Sequence, residues 1–167
     1  MSGGPQHLLS MAGVNLAAIL DDTSDLSTIR GSGLLLLDAV QRTEDELKSL
    51  APGAETISRG ASEGLFLLPA GVNAEDVRDR LDQGLKGDTE LQHATFVVDV
   101  EAMAGNGDFK RAKEVVKARN RWRQMQAPSL AIPRPTGLAP CQDCAVRPAA
   151  VGKQSASVAR LLPPAEN

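Results

Sequence analysis

A chain of 167 residues with 42% apolar residues has room for one domain with a real core and is not a disordered polypeptide. Only Phe66, Phe96, Phe109 and Trp122 are aromatic, too few for the stacking platforms of an RNA-recognition sheet. The net charge of −3 divides unevenly: residues 1–107 carry 17 acids and 7 bases, residues 108–167 carry 4 acids and 11 bases, so the second part can face an anion or an acidic partner. No apolar run reaches the about 20 residues that span a bilayer, and Met1 to Gln6 lacks a secretory pattern, so the expected location is the cytoplasm.

In chain order, His7 to Leu20 reads as a buried strand ending in the turn cluster Asp21-Asp22-Thr23-Ser24. Leu26, Ile29, Gly33, Leu36, Leu37 and Val40 follow helical spacing. Because Arg30-Gly31-Ser32-Gly33 would weaken a helix interior, the expectation is a loop through Gly31 and a helix capped by Ser32 that runs to about Leu50. Glu55 to Arg59 and Leu65 to Leu68 flank Gly60-Ala61-Ser62-Glu63-Gly64 as a hairpin. Asn73 to Asp76 opens a helix that Gly87 ends, with Val77 and Leu81 inward. Ala94 to Val100 has the β-branched content of a fourth strand, and Asp108 to Gln126 predicts a long helix with Phe109, Ala112, Val115, Ala118, Trp122 and Met125 on its core stripe.

The order β, α, β, β, α, β is that of an α+β, ferredoxin-like fold, here with an extra C-terminal helix and a short strand at Ser129 to Ile132. Residues 1–132 form the expected domain, and the proline-rich residues 133–167 an irregular tail.

Several residues carry candidate chemistry. Gly60 and Gly64 let a backbone approach a phosphate beside Arg59, although turn glycines serve plain hairpins as readily. Arg30-Gly31-Ser32 at a helix start reads equally as an anion site or as a cap. Lys110, Lys113, Lys117 and Arg121, with Arg111, Arg119 and Arg123, make the last helix basic, as a surface for RNA or an acidic protein or as a solvated face. Cys141 and Cys144 have half of a zinc-ribbon spacing, so a Zn²⁺ site requires ligands from elsewhere, and two reduced surface thiols are the alternative.

Three segments in order carry a resemblance: Ile29-Arg30-Gly31-Ser32-Gly33 before a leucine-rich helix, the hairpin from Ile57 to Pro69 that ends Leu67-Leu68-Pro69, and Ala139 to Ala149 around Cys141 and Cys144. Together, across residues 7–149, they resemble the N-terminal, non-catalytic palm of the large polymerase/cyclase-like subunit of type III CRISPR effector complexes. The resemblance implies a subunit that meets guide RNA, other effector subunits and a second palm, with ATP and Mg²⁺ as the cofactors of cyclic oligoadenylate synthesis. In such a family the catalytic palm carries acids on its first strand and a Gly-Gly-Asp-Asp hairpin that together hold two Mg²⁺ ions. Here the hairpin turn offers Glu63 alone, and Val14, Asn15 and Leu16 stand where a first-strand acid would be wanted. The expectation is therefore a catalytically degenerate palm with no catalytic residue, in which Arg30, Gly31, Ser32, Arg59, Gly60, Ser62 and Glu63 are the candidate nucleotide contacts. Two other readings stay open: a nucleotidyl cyclase with Asp21, Asp22, Glu63 or Asp99 as unconventional metal ligands, which needs two of them close together, and an unrelated ferredoxin-like interaction module.

Overall fold

The computed structural model describes residues 4–14, 26–91, 94–105 and 108–126. Among the described residues, four strands and three helices follow the expected order: β1 (Gln6–Val14), α1 (Leu26–Leu50), β2 (Glu55–Arg59), β3 (Glu63–Leu68), α2 (Ala74–Gly87), β4 (Thr95–Met103) and α3 (Phe109–Gln126). The strands form one sheet in the order β2-β3-β1-β4, and each neighbouring pair is antiparallel, which is the ferredoxin-like arrangement.

Central β1 is covered on both faces, which explains its nearly continuous apolar run. Leu9 and Met11 face one side and join Phe66, Leu68, Phe96, Val98 and Val100 beneath α1 and α2. Leu8 lies on the other side with Leu65 and Met103, under Ala112 and Val116 of α3. The extra helix thus makes a third layer and converts an open sheet face into a second, smaller core.

The hairpin closes by a hydrogen bond from the Gly60 N–H to the Glu63 carbonyl at 2.7 Å. β3 begins at Glu63, two residues before the sequence expectation, so Glu63 is a strand residue opposite Ala12 of β1. Gly64 is required for packing. A Cβ there would lie 2.5 Å from the Phe66 ring, inside the van der Waals limit of a side chain that is itself fully buried.

Helix α2 follows its sequence signals: the Asn73 side chain accepts from the Asp76 N–H at 3.3 Å, Glu75 and Asp76 occupy the first turn, and Ala74, Val77 and Leu81 are buried. α1 differs from expectation. It is one helix from Leu26 to Leu50, without a loop at Gly31. Leu36, Ala39, Val40, Thr43 and Leu47 anchor its second half in the core, and helix propagation from that anchored half outweighs the roughly 1 kcal/mol that each of Gly31 and Gly33 costs. Ser32 therefore sits inside the helix, and the free N–H groups belong to the first turn instead.

α3 also differs. Ala112, Val116 and Asn120 are buried, whereas Trp122 is 61% and Met125 79% exposed. Phe109 and Ala112 pack on the sheet as expected, but further along polar groups on the inner side of the helix meet polar groups on the sheet, and Val115, Ala118 and Trp122 turn toward the β4 edge. At its head, Asp108 accepts from the Ala104 N–H at 3.0 Å and from the Arg111 guanidinium at 2.7 Å. The Arg111 contact first, then the Ala104 N–H, lowers the Asp108 carboxyl from its ordinary 3.8 to about 2. Its stabilising contribution is complete above pH 3.8 and disappears as pH falls toward 2. Asp108→Asn should consequently lose less stability than the parent between pH 4.5 and pH 2, as read by urea unfolding at both pH values; equal losses would contradict the assignment.

The strand expected at Ser129 to Ile132, the 133–167 tail with Cys141 and Cys144, and Asn15, Leu16, Asp21, Asp22 and His93 all lie outside the described residues. Among the described residues, no helix is long and apolar enough to cross a membrane.

Candidate functional site

The face of the sheet beneath α3 holds a layer of buried polar groups. Period-2 alternation places Ser10 on the same side as Leu8, and register sets Ser10 beside Leu65 of β3 and Asp99 of β4. Asn120 of α3 reaches down to this row, donating from Nδ2 to Ser10 Oγ at 2.9 Å and to the Ser10 carbonyl at 3.3 Å. Along β4, Arg123 Nε lies 2.9 Å from Asp99 Oδ1, and Arg119 lies 2.7 Å from Glu101. Burial pushes the Asp99 carboxyl above its ordinary range, with Arg123 the largest of three guanidiniums that pull it back. Asp99 Oδ2 and Asn120 Oδ1 find no hydrogen-bond partner among the described residues.

At the hairpin end of the same face, Glu63 approaches Lys117 at 3.5 Å, an exposed pair that contributes little to stability. A small cavity of about 80 Å³ lies between Ser10, Ala12, Glu63, Lys117, Arg121 and Gln124. Arg59 belongs to the other face, where its guanidinium meets Glu44 of α1 at 3.1 Å while Thr56 and Lys48 bond the same carboxylate. Those hydrogen bonds, Lys48 first, lower the Glu44 pKa. Arg30, Gly31 and Ser32 lie on the second turn of α1. The structure accordingly separates the candidate nucleotide contacts: Glu63 on the α3 side, Arg59 on the α1 side, and Arg30 to Ser32 on α1 itself.

The donor set at the hairpin does not fit a two-metal centre. Glu63 faces Ala12, and Asp99 lies across β1 and two residues along, roughly 12 Å away by ordinary strand spacing. Among the described residues no group of three His, Cys, Asp or Glu side chains could hold a metal ion.

The cations of α3 fall into two sets by position. Arg111, Arg119 and Arg123 are engaged by acids of β4 and by Asp108. Lys110, Lys113, Lys117 and Arg121 recur at spacings of three, four and four and share one stripe, in which Lys110, Lys113 and Arg121 are exposed.

A larger cleft of about 560 Å³ lies at the free edge of β4. Its walls are Glu75 and Arg78 of α2 on one side, and Val115, Ala118, Arg119, Trp122 and Arg123 of α3 on the other, with Asp99 and Val100 between them. Sequence reading placed Trp122 in the core and so missed this cleft. The signal was present as the polar residues Ser10, Asp99 and Glu101 within otherwise apolar strands, which require a polar helix face and leave the apolar stripe for another surface.

No family model and no curated protein sequence matches the chain. Among solved structures, the fold is similar to that in the crystal structure of Csm1 in T.onnurineus, with a TM-score of 0.59 and 13% identity. The match covers 73% of this chain and 20% of that one, so the chain spans about a fifth of the length of its structural neighbour, and what the two share is a Csm1-like fold.

Proposed function

We propose that this chain is a catalytically degenerate palm domain of a CRISPR-type antiviral effector subunit, acting by holding partners and not by turning over nucleotide. The observation that carries the reading is the position of α3. In a catalytic palm, the sheet face bearing the first strand and hairpin must stay accessible to a triphosphate and two metal ions. Here α3 lies on that face, Asn120 is bonded to Ser10, and the row beside the hairpin reads Ala12 and Glu63 where two acids would be needed. The Csm1-like fold supports the CRISPR assignment.

The stripe Lys110, Lys113, Lys117 and Arg121 is the surface offered to guide RNA or to an acidic subunit, since cations at helical spacing on one stripe can follow a phosphate backbone. Cys141 and Cys144 would supply half of a Zn²⁺ site completed by another segment or subunit. Co-expression with the proteins encoded beside it, followed by native mass spectrometry, tests the assignment. A complex containing further effector subunits and guide RNA is expected; a chain that stays monomeric and free of RNA in their presence would contradict it.

A further inference from the structure

We propose that the free edge of β4 is a docking site for one extended, carboxylate-bearing segment of a partner protein, which adds to the sheet as a fifth strand between α2 and α3. The inference rests on backbone direction. The Gly13 N–H donates to the Ser62 carbonyl at 2.8 Å, so odd-numbered residues of β1 turn their backbone groups toward β3. Even-numbered residues of β1 must then bond β4, through the pairs Ala12 with Val97, Ser10 with Asp99 and Leu8 with Glu101. The N–H and C=O groups of Phe96, Val98, Val100 and Ala102 consequently point outward, along a strand nine residues long. Arg119 confirms the direction, donating to the Val100 carbonyl at 2.9 Å from beyond the edge.

The two edges of the sheet differ. β2 is five residues long and bulged between Thr56 and Ser58, a common means of blocking further pairing. β4 keeps unbroken register with β1 over nine pairs. Helices overhang it on both faces, and the 560 Å³ cleft occupies the place of a next strand. Val115, Ala118 and Trp122 give that place an apolar wall, and Trp122 is the exposed aromatic anchor typical of strand-addition grooves and interface hot spots.

Charge selects the occupant. Arg78, Arg119 and Arg123 line the cleft against Glu75 and Asp99, an excess of one positive charge. Each guanidinium has five donors, so those already holding Glu75, Glu101 or Asp99 retain capacity for a partner's carboxylate. A second copy of this chain would bring the same basic helix against the cleft. A nucleic acid would leave the outward amides of β4 unused, whereas a carboxylate-flanked strand satisfies both them and the arginines.

This inference deepens the reading of the chain as a partner-holding domain, and its test is independent of nucleotide chemistry. The full chain is titrated with a synthetic ten-residue peptide of alternating valine and threonine flanked by glutamates, following fluorescence of its single tryptophan, Trp122, and amide exchange by NMR. Saturable binding with a blue shift of Trp122 emission and at least tenfold slower exchange of the Val98 and Val100 amides is expected. The same peptide with a central proline should not bind. Ala118→Glu, an exposed change that intrudes on the wall, should abolish binding with the melting profile unchanged, and Trp122→Ala should weaken it about thirtyfold by NMR. The proposal is overturned by any of three results: no saturable change, Val98 and Val100 amides already as protected in the isolated chain as those of β1, or an oligouridylate taking the cleft in an Ala118→Glu-sensitive manner that the peptide does not.

Discussion

Phe66→Ala should destabilise the fold by about 3–5 kcal/mol, a large part of the 5–15 kcal/mol that holds a typical domain together. Phe66 is fully buried on β3, pairs with Leu9 of β1 and Thr56 of β2, and sits in the core beneath α1 with Val40 nearby. Its ring covers Gly64, which has no side chain to move into the space the ring leaves. Collapse around the void is therefore limited, and the expected loss falls at the upper end for an aromatic truncation. Chemical denaturation at neutral pH measures it. A loss below about 1 kcal/mol would mean that the core between the sheet and helices α1 and α2 is not packed as described.

Arg123→Ala should destabilise the fold by about 1–2 kcal/mol at pH 7, less than for a fully buried pair because the Arg123 side chain is itself 42% exposed, and by much less at pH 4, because the effect comes from the charge left behind. Asp99 has a 4% exposed side chain, its Oδ2 already lacks a partner, and burial is the main force on its pKa. The sign follows from that direction. A carboxyl whose folded pKa is raised costs stability once pH exceeds its unfolded value and costs nothing when both states are protonated. Removing Arg123, the strongest opposing guanidinium, raises the folded pKa further and widens the window between the unfolded and folded pKa over which stability falls as pH rises, so the loss at pH 7 grows. The double variant Arg123→Ala/Asp99→Asn should recover most of the neutral-pH loss. Equal destabilisation at pH 7 and pH 4, or no rescue, would show that Arg123 acts through its aliphatic stem and not its charge.

These two side chains also show which parts of the structure the sequence reveals. Phe66 was recognisable because Leu65 to Leu68 is a short apolar run after a glycine turn, and the same signals gave α2 from Asn73 to Gly87. The strand order followed from such local cues, since a ferredoxin-like sheet is assembled from split units with little topological choice. The Arg123–Asp99 pair was not recognisable, because helical spacing offers two adjacent stripes on α3 and only tertiary contact selects between them. Val115, Ala118, Trp122 and Met125 are the more apolar stripe, yet Ala112, Val116 and Asn120 are buried. The sheet beneath carries Ser10, Asp99 and Glu101, and a helix that buried Trp122 there would leave those groups unsatisfied. Asn120 and Ser10 are 110 residues apart, beyond any local pattern.

At the hairpin, the sequence located the residues and not their arrangement. Arg59 and Glu63 look like one site in a linear reading. Strand geometry sends Arg59 to Glu44 on one face and Glu63 to Lys117 on the other. Gly31 and Gly33 were read as helix breakers, and their place in α1 reflects open surroundings, with nothing within 4 Å of an added Cβ, and a well-anchored second half of the helix.

The measurement that bears most directly on a non-catalytic palm is incubation of the purified chain with ATP and Mg²⁺ or Mn²⁺, followed by mass spectrometry of the nucleotides. The account predicts unchanged ATP, both for the chain itself and for Glu63→Ala. A cyclic or linear oligoadenylate made by the chain and lost in Glu63→Ala would contradict it.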